Sequence, residues 1–308
     1  MANITASMVK DLRDKTGAGM MDCKAALTET DGNLEAAIDW LRKKGLAKAA
    51  KKAGRVAAEG LIGVAVGGDT GALVEVNSET DFVARNDAFK DFVKRAAELA
   101  LEVGGDVEKI HAKPVEPGGA SVQETLTHLV AKIGENISVR RAVVLSVTPG
   151  VVAAYVHNAA APELGKIGVL VGLRSTADKT KLTALGKQLA MHIAAAAPLA
   201  LTPEHLAPEL IARERAVQGD LARQSGKPEA VIEKMIEGRM RKFYEESVLL
   251  SQIFVIDGET PVAKVIEKAA KELGASIEIA GYYRFVVGEG IEKVDSDFAD
   301  EVKQMAGH

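Results

Sequence analysis

Residues 61–76 read LIGVAVGGDTGALVEV, and this hairpin pattern sets the predicted fold class. Two apolar runs, 61–66 and 72–76, flank the glycine-rich segment 67–71, which has the composition of a tight turn between two strands. A helix is predicted from about Asp87 to Val103. Its inward face holds Phe89, Phe92, Val93, Ala96, Leu99 and Ala100. A hairpin followed by a helix predicts an α+β fold.

The same order of elements recurs further along the chain. Strand-like runs follow at 139–147, 151–157 and 167–173. A helix is then predicted over 179–195, a second from Pro261 to Gly274, and a last strand over 277–287. The repeated order predicts a duplicated α+β core with antiparallel sheets.

The first 45 residues predict a small unit of three helices. Thr5 is expected to cap the first helix, which Gly17 and Gly19 break, and the second covers Met20 to Thr30. Asn33 is expected to cap the third, and Gly45 to close it. Because so small a unit buries little core, we expect it to lean on another surface.

A basic stretch, 42–55, follows this unit without a single acidic residue. Its cations are Arg42, Lys43, Lys44, Lys48, Lys51, Lys52 and Arg55. One hypothesis is a phosphate or RNA contact. The alternative is a solvated, alanine-rich helical linker, which we favour because no aromatic residue lies between Trp40 and Phe82 to stack on bases. The net charge of −4 also argues against a general polyanion binder.

The middle of the chain predicts a helical hairpin. Residues 104–120 contain four glycines and two prolines, so a loop is expected there, and 121–124 form a capping box that opens a helix. Residues 202–245 are helical in pattern, starting at Thr202-Pro203, with a reversal at 225–228. Two such helices cannot bury both faces alone. They present either a dimer or partner surface, or pack back on their own domain.

Common enzyme motifs are absent. The sequence has no phosphate-binding loop, no dinucleotide fingerprint and no metalloprotease helix motif, and its six histidines are scattered. The single cysteine, Cys23, precludes an intramolecular disulfide, which favours a cytosolic chain. A lone helical Cys is more often a small buried hydrophobe than a nucleophile, so a Cys23-dependent enzyme is the weakest hypothesis. No apolar run is long enough to span a membrane.

The segment after the hairpin reads NSETDFVARN, residues 77–86. Strand alternation stops at Asn77 and helix signals resume near Asp87, so Phe82 falls in a polar turn. An aromatic ring at such a position could anchor a partner interface. The other interpretation is a ring folded under its own turn as a local core residue, and the residues alone favour this second interpretation.

Five segments resemble, in family order, the motifs of the elongation factor Ts family of bacterial nucleotide-exchange factors. NSETDFVARN is one, and LRDKTGAGMMDCKAAL at 12–27 is another. The others are AKIGEN at 131–136 with Arg140-Arg141, QSGKP at 224–228 continuing to EGRM at 237–240, and RFVVGEGIEK at 284–293. Together they cover nearly the whole chain.

The resemblance implies a fold of several parts. An N-terminal three-helix module similar to ubiquitin-associated domains is expected, with a duplicated α+β core, an inserted antiparallel helical hairpin and a C-terminal module. On this sequence the expected boundaries are 1–55 for the N-terminal module with its basic linker, 56–147 for the first core subdomain, 148–200 with 246–287 for the second, 201–245 for the hairpin and 288–308 for the C-terminal module.

The resemblance also implies an activity without covalent chemistry, cofactor or metal ligand. Family members promote the exchange of GDP for GTP on the GTPase elongation factor Tu. The segment Thr80, Asp81, Phe82 and Val83 would intrude beside the nucleotide site of the GTPase. There Phe82 would wedge between two helices and lead to displacement of the bound Mg²⁺, while Asp81 would meet polar groups. GDP would then lose its main counter-charge.

Further contacts are implied elsewhere. Leu12, Arg13 and Met20 of the N-terminal module would pack on the nucleotide domain of the GTPase. His157 would be a further contact, although residues 158–166 depart from the family pattern. The helical hairpin would support a homodimer or a heterotetramer with the GTPase. A cytoplasmic location is expected, with no membrane or direct nucleic-acid partner. The alternative from another class is an RNA- or ribosome-binding protein acting through 42–55.

Overall fold

The computed structural model of the chain describes residues 4–16 and 18–292, with only the backbone described at Lys48. The helices are α1 (Ala6–Thr16), α2 (Met20–Glu29), α3 (Leu34–Lys52), α4 (Asp87–Val103), α5 (Val107–Ala112), α6 (Val122–Ile133), α7 (Lys179–Ala196), α8 (Pro208–Arg223), α9 (Glu229–Ser247) and α10 (Val262–Leu273). The strands are β1 (Glu59–Gly67), β2 (Thr70–Ser78), β3 (Ile137–Ser146), β4 (Gly150–Ala161), β5 (Leu164–Arg174) and β6 (Glu278–Val286). The predicted α+β class is confirmed.

All six of these strands join one antiparallel sheet. Its order is β3-β2-β1-β5-β4, and β6 pairs with β5 on the same side as β1. Among the described residues, strand pairing between the two groups is limited to a short stretch, where Ile62 pairs with Gly165 and Gly63 with Leu164. The core was predicted to contain more than one antiparallel sheet, whereas in the structure this pairing joins the two groups of strands into a single sheet.

Each half of the sheet has the same order of elements. In the first half the β1–β2 hairpin is followed by α4, and β3 returns to pair with β2. In the second, the β4–β5 hairpin is followed by α7, and β6 returns to pair with β5. Each helix packs on its half of the sheet at a glycine. In the first half this is Gly63 on β1, where an added Cβ would lie 2.9 Å from Val93 of α4. In the second half it is Gly186 on α7, where an added Cβ would lie 2.5 Å from Ala153 of β4. This shared order agrees with a duplicated core, which stays a prediction.

A central apolar cluster lies between the inner faces of the two halves. It brings Ile62 and Leu73 of the first half against Leu170 and Phe285 of the second. The outer faces have their own clusters, under α4 and α6 on one side and under α7 and α10 on the other. The sheet therefore curls so that both of its faces are largely buried.

The close approach of the two halves can be tested by substitution of Gly168 on β5. A Cβ there would lie 2.6 Å from Cγ2 of Ile62 and 3.1 Å from Cδ2 of Leu73. We expect Gly168→Ala to lower the free energy of unfolding by about 1–3 kcal/mol, because the interior must shift to admit a methyl group. Urea unfolding followed by circular dichroism measures this change.

The matched control is Gly238→Ala on α9, where an added Cβ would meet nothing within 4 Å. Removing a helical glycine from open surroundings is expected to raise stability by up to about 1 kcal/mol. If both variants unfold at the parental urea concentration, the two halves of the sheet are not packed as tightly as described.

Two helix boundaries differ from the prediction. Gly45 does not close the third helix, because α3 continues to Lys52 through an alanine- and lysine-rich stretch with high helix propensity. Gly45 is buried where α3 crosses α6, beside Ala131. The helix expected to start at Thr202-Pro203 begins only at Pro208, because Pro203 opens a short 3₁₀ turn instead.

Two other segments were also predicted wrongly or incompletely. Residues 104–120 were expected to be a loop but contain α5, whose first turn is capped by the Asp106 carboxylate. Strands β4 and β5 extend through 158–166 and meet at a tight turn where Glu163 has a φ of +65°. The capping box at Ser121 and Glu124 is confirmed. Gly17 lies outside the described residues, as do residues 293–308 of the predicted C-terminal module, 288–308.

Candidate functional site

The turn between β2 and α4, residues 79–86, is held by local hydrogen bonds. The Ser78 hydroxyl donates to the carbonyl of Thr80 at 2.9 Å, which links the end of β2 to the start of the turn. A 3₁₀ turn, Val83–Arg85, follows, and Asn86 then caps α4 by accepting from the backbone N–H of Phe89 at 3.3 Å. The turn is therefore fixed to a strand at one end and to a helix at the other.

Phe82 lies at the tip of this turn with 69% of its surface exposed. Its neighbours Val83 and Ala84 are buried instead, in the cluster under α4. The interpretation favoured from the residues alone, a Phe folded under its own turn, is therefore wrong. Val83 fills the space below the turn, so the Phe82 ring is left in solvent.

Charged side chains flank the exposed ring. The Arg85 guanidinium carbon lies 5.7 Å from the Phe82 ring centroid, and Arg85 Nη2 lies 3.9 Å from Oδ2 of Asp81. Both side chains of this ion pair are mostly exposed, so the pair contributes little to stability. An aromatic ring beside an arginine is a common composition of interface hot spots. The tip can thus serve as a contact surface.

The upstream side of the turn is tied to the segment that follows α6. Thr80 donates from its backbone N–H and from Oγ1 to the two carboxylate oxygens of Glu135, at 2.9 and 2.6 Å. In the reverse direction, the Glu79 carboxylate accepts from the backbone N–H of Asn136 at 2.6 Å and from Arg55 at 3.2 Å. Each segment therefore donates to a carboxylate of the other.

The β4–β5 hairpin lies next to the turn. A groove of about 340 Å³ is lined by Asp81 and Arg85 on one side and by residues 158–160 on the other. His157 precedes this edge, is exposed on β4 and has Nδ1 3.1 Å from the Tyr155 hydroxyl. The structure therefore brings the strand of His157 to the side of the turn, without a direct contact between His157 and Phe82 among the described hydrogen bonds and ring contacts.

The predicted contact residues of the N-terminal helices differ in exposure. Met20, at the start of α2, is 60% exposed, and Arg13 on α1 is exposed as well. Leu12 has no exposed surface, because it packs with Leu27 and Ala37 in the small core of the three helices. In this conformation Leu12 can support the surface formed by its neighbours but cannot touch a partner directly.

The basic stretch 42–55 is partly neutralised by ion pairs. Arg42 pairs with Glu124 on α6, Lys44 with Asp22 at 3.0 Å, and Arg55 with Glu79. Through these ion pairs the basic stretch attaches α3 and the linker after it to the rest of the chain, which favours the linker interpretation.

Cys23 is fully buried in the core of the three helices. Among residues 4–16 and 18–292, no group of His, Cys, Asp and Glu side chains is arranged to hold a metal ion.

A buried carboxylate that no sequence pattern indicated lies on β2, the strand that leads into this turn. Glu75 on β2 is fully buried. Its oxygens accept from Arg140 at 3.2 Å, from Arg141 Nε at 2.5 Å, and from the backbone N–H of Gly288 at 2.8 Å. Burial alone would raise the pKa of Glu75, but the hydrogen bonds from Gly288, Asn77 and Arg141 outweigh it and hold the pKa below its usual value. Glu75 therefore stays ionised and joins the two halves.

The chain is similar to known proteins over most of its length. The model of the family described as Elongation factor TS matches residues 79–289, which begins at the turn that carries Phe82 and ends after β6. No helix within the described ranges is long and apolar enough to cross a membrane.

Curated relatives match over almost their entire length. An elongation factor Ts of Rhodospirillum centenum is 61% identical over 307 residues, covering 100% of both chains. One of Rhodospirillum rubrum is 60% identical and covers 98% of each, and one of Parvibaculum lavamentivorans is 61% identical and covers 99% of each. With a family model over more than half of its length and full-length relatives at this identity, the chain belongs to the elongation factor Ts family.

Proposed function

We propose that the chain promotes the release of GDP from the GTPase elongation factor Tu and its exchange for GTP. The observation that carries this proposal is the exposed Phe82 ring on a turn pinned at both ends, within the NSETDFVARN segment. Family membership supplies the expected partner. The proposed activity is that of an exchange factor in the cytoplasm, without covalent chemistry or a cofactor of its own.

In the proposed mechanism, Phe82 enters between two helices beside the nucleotide site of the GTPase. Asp81 meets polar groups there, Thr80 fixes the approach of the turn, and Val83 remains the buried support beneath it. The shift displaces the groups that hold Mg²⁺, so the diphosphate loses its counter-charge and dissociates. The chain binds the nucleotide-free GTPase more tightly than the GDP form, and this difference in affinity drives release.

A second contact is proposed for the N-terminal helices. Arg13 and Met20 present their exposed side chains to the nucleotide domain of the GTPase, while Leu12 supports them from the core below. His157 is proposed as a further contact, since its strand borders the groove beside Asp81. We propose these helices as the ubiquitin-associated-like module that the resemblance implies. The domain boundaries given above, with a C-terminal module from residue 288, belong to the same proposal.

Self-association is proposed for the helical hairpin of α8 and α9. The two helices share a small core, in which Ala222, Ile232, Ile236 and Met240 are buried. Val217, Leu221 and Val231 nevertheless keep more than a third of their surface exposed. These apolar side chains support a homodimer, or a heterotetramer with two copies of the GTPase.

The test is the release of a fluorescent GDP analogue from elongation factor Tu, with and without the full chain. We expect the release rate to rise with the concentration of the chain and to reach a plateau, because release then proceeds from a saturated complex. RNA binding through 42–55 predicts instead a steep loss of RNA affinity with salt and no effect on GDP release. An unchanged release rate at every concentration would refute the proposed function.

A further inference from the structure

Two side chains hold the turn at Thr80, upstream of Phe82: the Ser78 hydroxyl, which donates to the Thr80 carbonyl, and the Glu135 carboxylate. Downstream of the ring, Val83 and Ala84 are buried and the 3₁₀ turn is closed by backbone hydrogen bonds. Upstream, Thr80 is held by Glu135, which takes both the backbone N–H and the hydroxyl of the same residue. Glu135 lies 55 residues further along the chain and directly follows Gly134, the left-handed cap of α6.

We infer that Glu135 is a positioning residue for Phe82, which fixes the turn before the GTPase arrives; this inference rests on the proposed function. A bidentate carboxylate accepts two hydrogen bonds in a defined plane, so it restricts both the backbone and the side chain of Thr80. Thr80 is two residues from Phe82. Its restriction therefore limits the directions in which the ring can point.

The segment that carries Glu135 is itself held in place. Its neighbour Asn136 donates from its backbone N–H to Glu79 and from Nδ2 to the carbonyl of Arg55 at 2.7 Å. Arg55 in turn pairs with Glu79. The segment around Glu135, at the end of α6, is therefore hydrogen-bonded to the linker after α3 and to the end of β2. A rigid support is required if one side chain is to fix the position of another.

The physical consequence concerns the association step. A turn that is free in the unbound protein must be ordered when the partner binds, and the lost conformational entropy weakens the complex. Once the turn is bound to the GTPase, the Phe82 ring occupies the same position in a variant without Glu135 as in the parent. Loss of Glu135 should therefore reduce the apparent affinity for the GTPase much more than the rate of GDP release within the saturated complex.

The experiment measures GDP release as a function of the concentration of the elongation factor Tu–GDP complex. For Glu135→Ala we expect KM to rise about tenfold, with the maximal rate within about twofold of the parent. Glu135→Gln keeps an acceptor for Thr80 and should give an intermediate KM. The matched control is Glu278→Ala, which removes a surface carboxylate 3.2 Å from Arg174, and its kinetics should equal those of the parent.

Two further readouts separate positioning from general loss of structure. Amide hydrogen exchange should become faster at residues 80–86 in Glu135→Ala, with the protection of α4 and the sheet unchanged. In the background of Phe82→Ala, adding Glu135→Ala should have little further effect on KM, because Glu135 acts through the ring that is already absent. Should Glu135→Ala fail to fold, Glu135→Gln carries the same test with a smaller shift.

If the parent stimulates GDP release and Glu135→Ala has the parental KM, the inference about Glu135 is refuted while the proposed function stands. Equal losses with and without Phe82 also overturn it, because Glu135 would then act elsewhere. A parent chain that does not stimulate GDP release overturns the proposed function, and the inference falls with it. The predicted rise in KM, with faster exchange confined to 80–86, supports the assignment.

Discussion

Phe82→Ala is expected to lower the maximal rate of GDP release from elongation factor Tu by at least about tenfold, as truncation of an interface hot spot does. The ring is 69% exposed in the free chain, so its removal creates no cavity and should leave the free energy of unfolding nearly unchanged. The predicted loss therefore belongs to the contact with the GTPase. Stopped-flow release of fluorescent GDP, with a thermal unfolding curve of each variant, measures both quantities.

The effect should be specific to this ring. Val66→Ala is a matched control, since it also removes an exposed apolar side chain but from the far end of β1, and it should leave exchange unchanged. Asp81→Ala should lower the maximal rate of GDP release less than Phe82→Ala does, because the ion pair of Asp81 with Arg85 is exposed and screened by solvent.

The outcome also decides between two roles of the turn. If Phe82 acts only as a general anchor, its loss should raise KM and leave the maximal rate unchanged, because uniform binding does not change the rate within the complex. A wedge that opens the nucleotide site should lower the maximal rate itself. A variant that exchanges nucleotide as fast as the parent at all concentrations would contradict both roles.

Local signals in the sequence predicted much of the fold. The hairpin 61–76, the helix Asp87–Val103 and the capping box at Ser121 all appear in the structure close to where the residues indicated them. In each case the determining residues lie within a few positions of one another: glycines for the turn, a cap for the helix start and an apolar face of helical period. Such signals need no knowledge of the tertiary structure.

Features that depend on distant residues were not predictable in this way. Whether Phe82 or Val83 fills the space beneath the turn depends on how α4 packs on β1 and β2, which no local pattern specifies. The residues alone therefore favoured the wrong one. The same holds for residues 158–166, where the positive φ of Glu163 lets the two strands continue to a tight turn and Asn158 also has a positive φ.

Glu75 shows this limit most clearly. In the sequence it is one acidic residue within an apolar strand, and nothing near it indicates a partner. Register brings it beside Arg141 on β3, and the return of β6 brings the N–H of Gly288 to the same carboxylate. The resemblance did mark Arg140-Arg141 and the segment 284–293 as family motifs, yet only the structure shows that they meet on one side chain.

Glu75→Gln is expected to lower the free energy of unfolding by about 3 kcal/mol, because removal of one partner of a buried ion pair leaves the other without compensation. Arg140 and Arg141 are roughly 30% exposed, so water can compensate part of the lost charge. The amide would also turn one donor toward the guanidinium groups or toward Gly288. The surface substitution Glu278→Gln is the matched control and should change stability by less than about 1 kcal/mol.

The pH dependence provides an independent test of the same carboxylate. Since folding lowers the pKa of Glu75, the unfolded chain binds the proton more tightly than the folded one. The stability that Glu75 contributes is thus fully present above its ordinary pKa of 4.5 and is lost as the pH falls through the lower folded value. The parent should lose its advantage over Glu75→Gln as the pH drops below about 4.5. A difference in unfolding free energy that stays constant from pH 7 to the acid limit of folding would show that the charge of Glu75 is not what holds Arg140, Arg141 and Gly288 together.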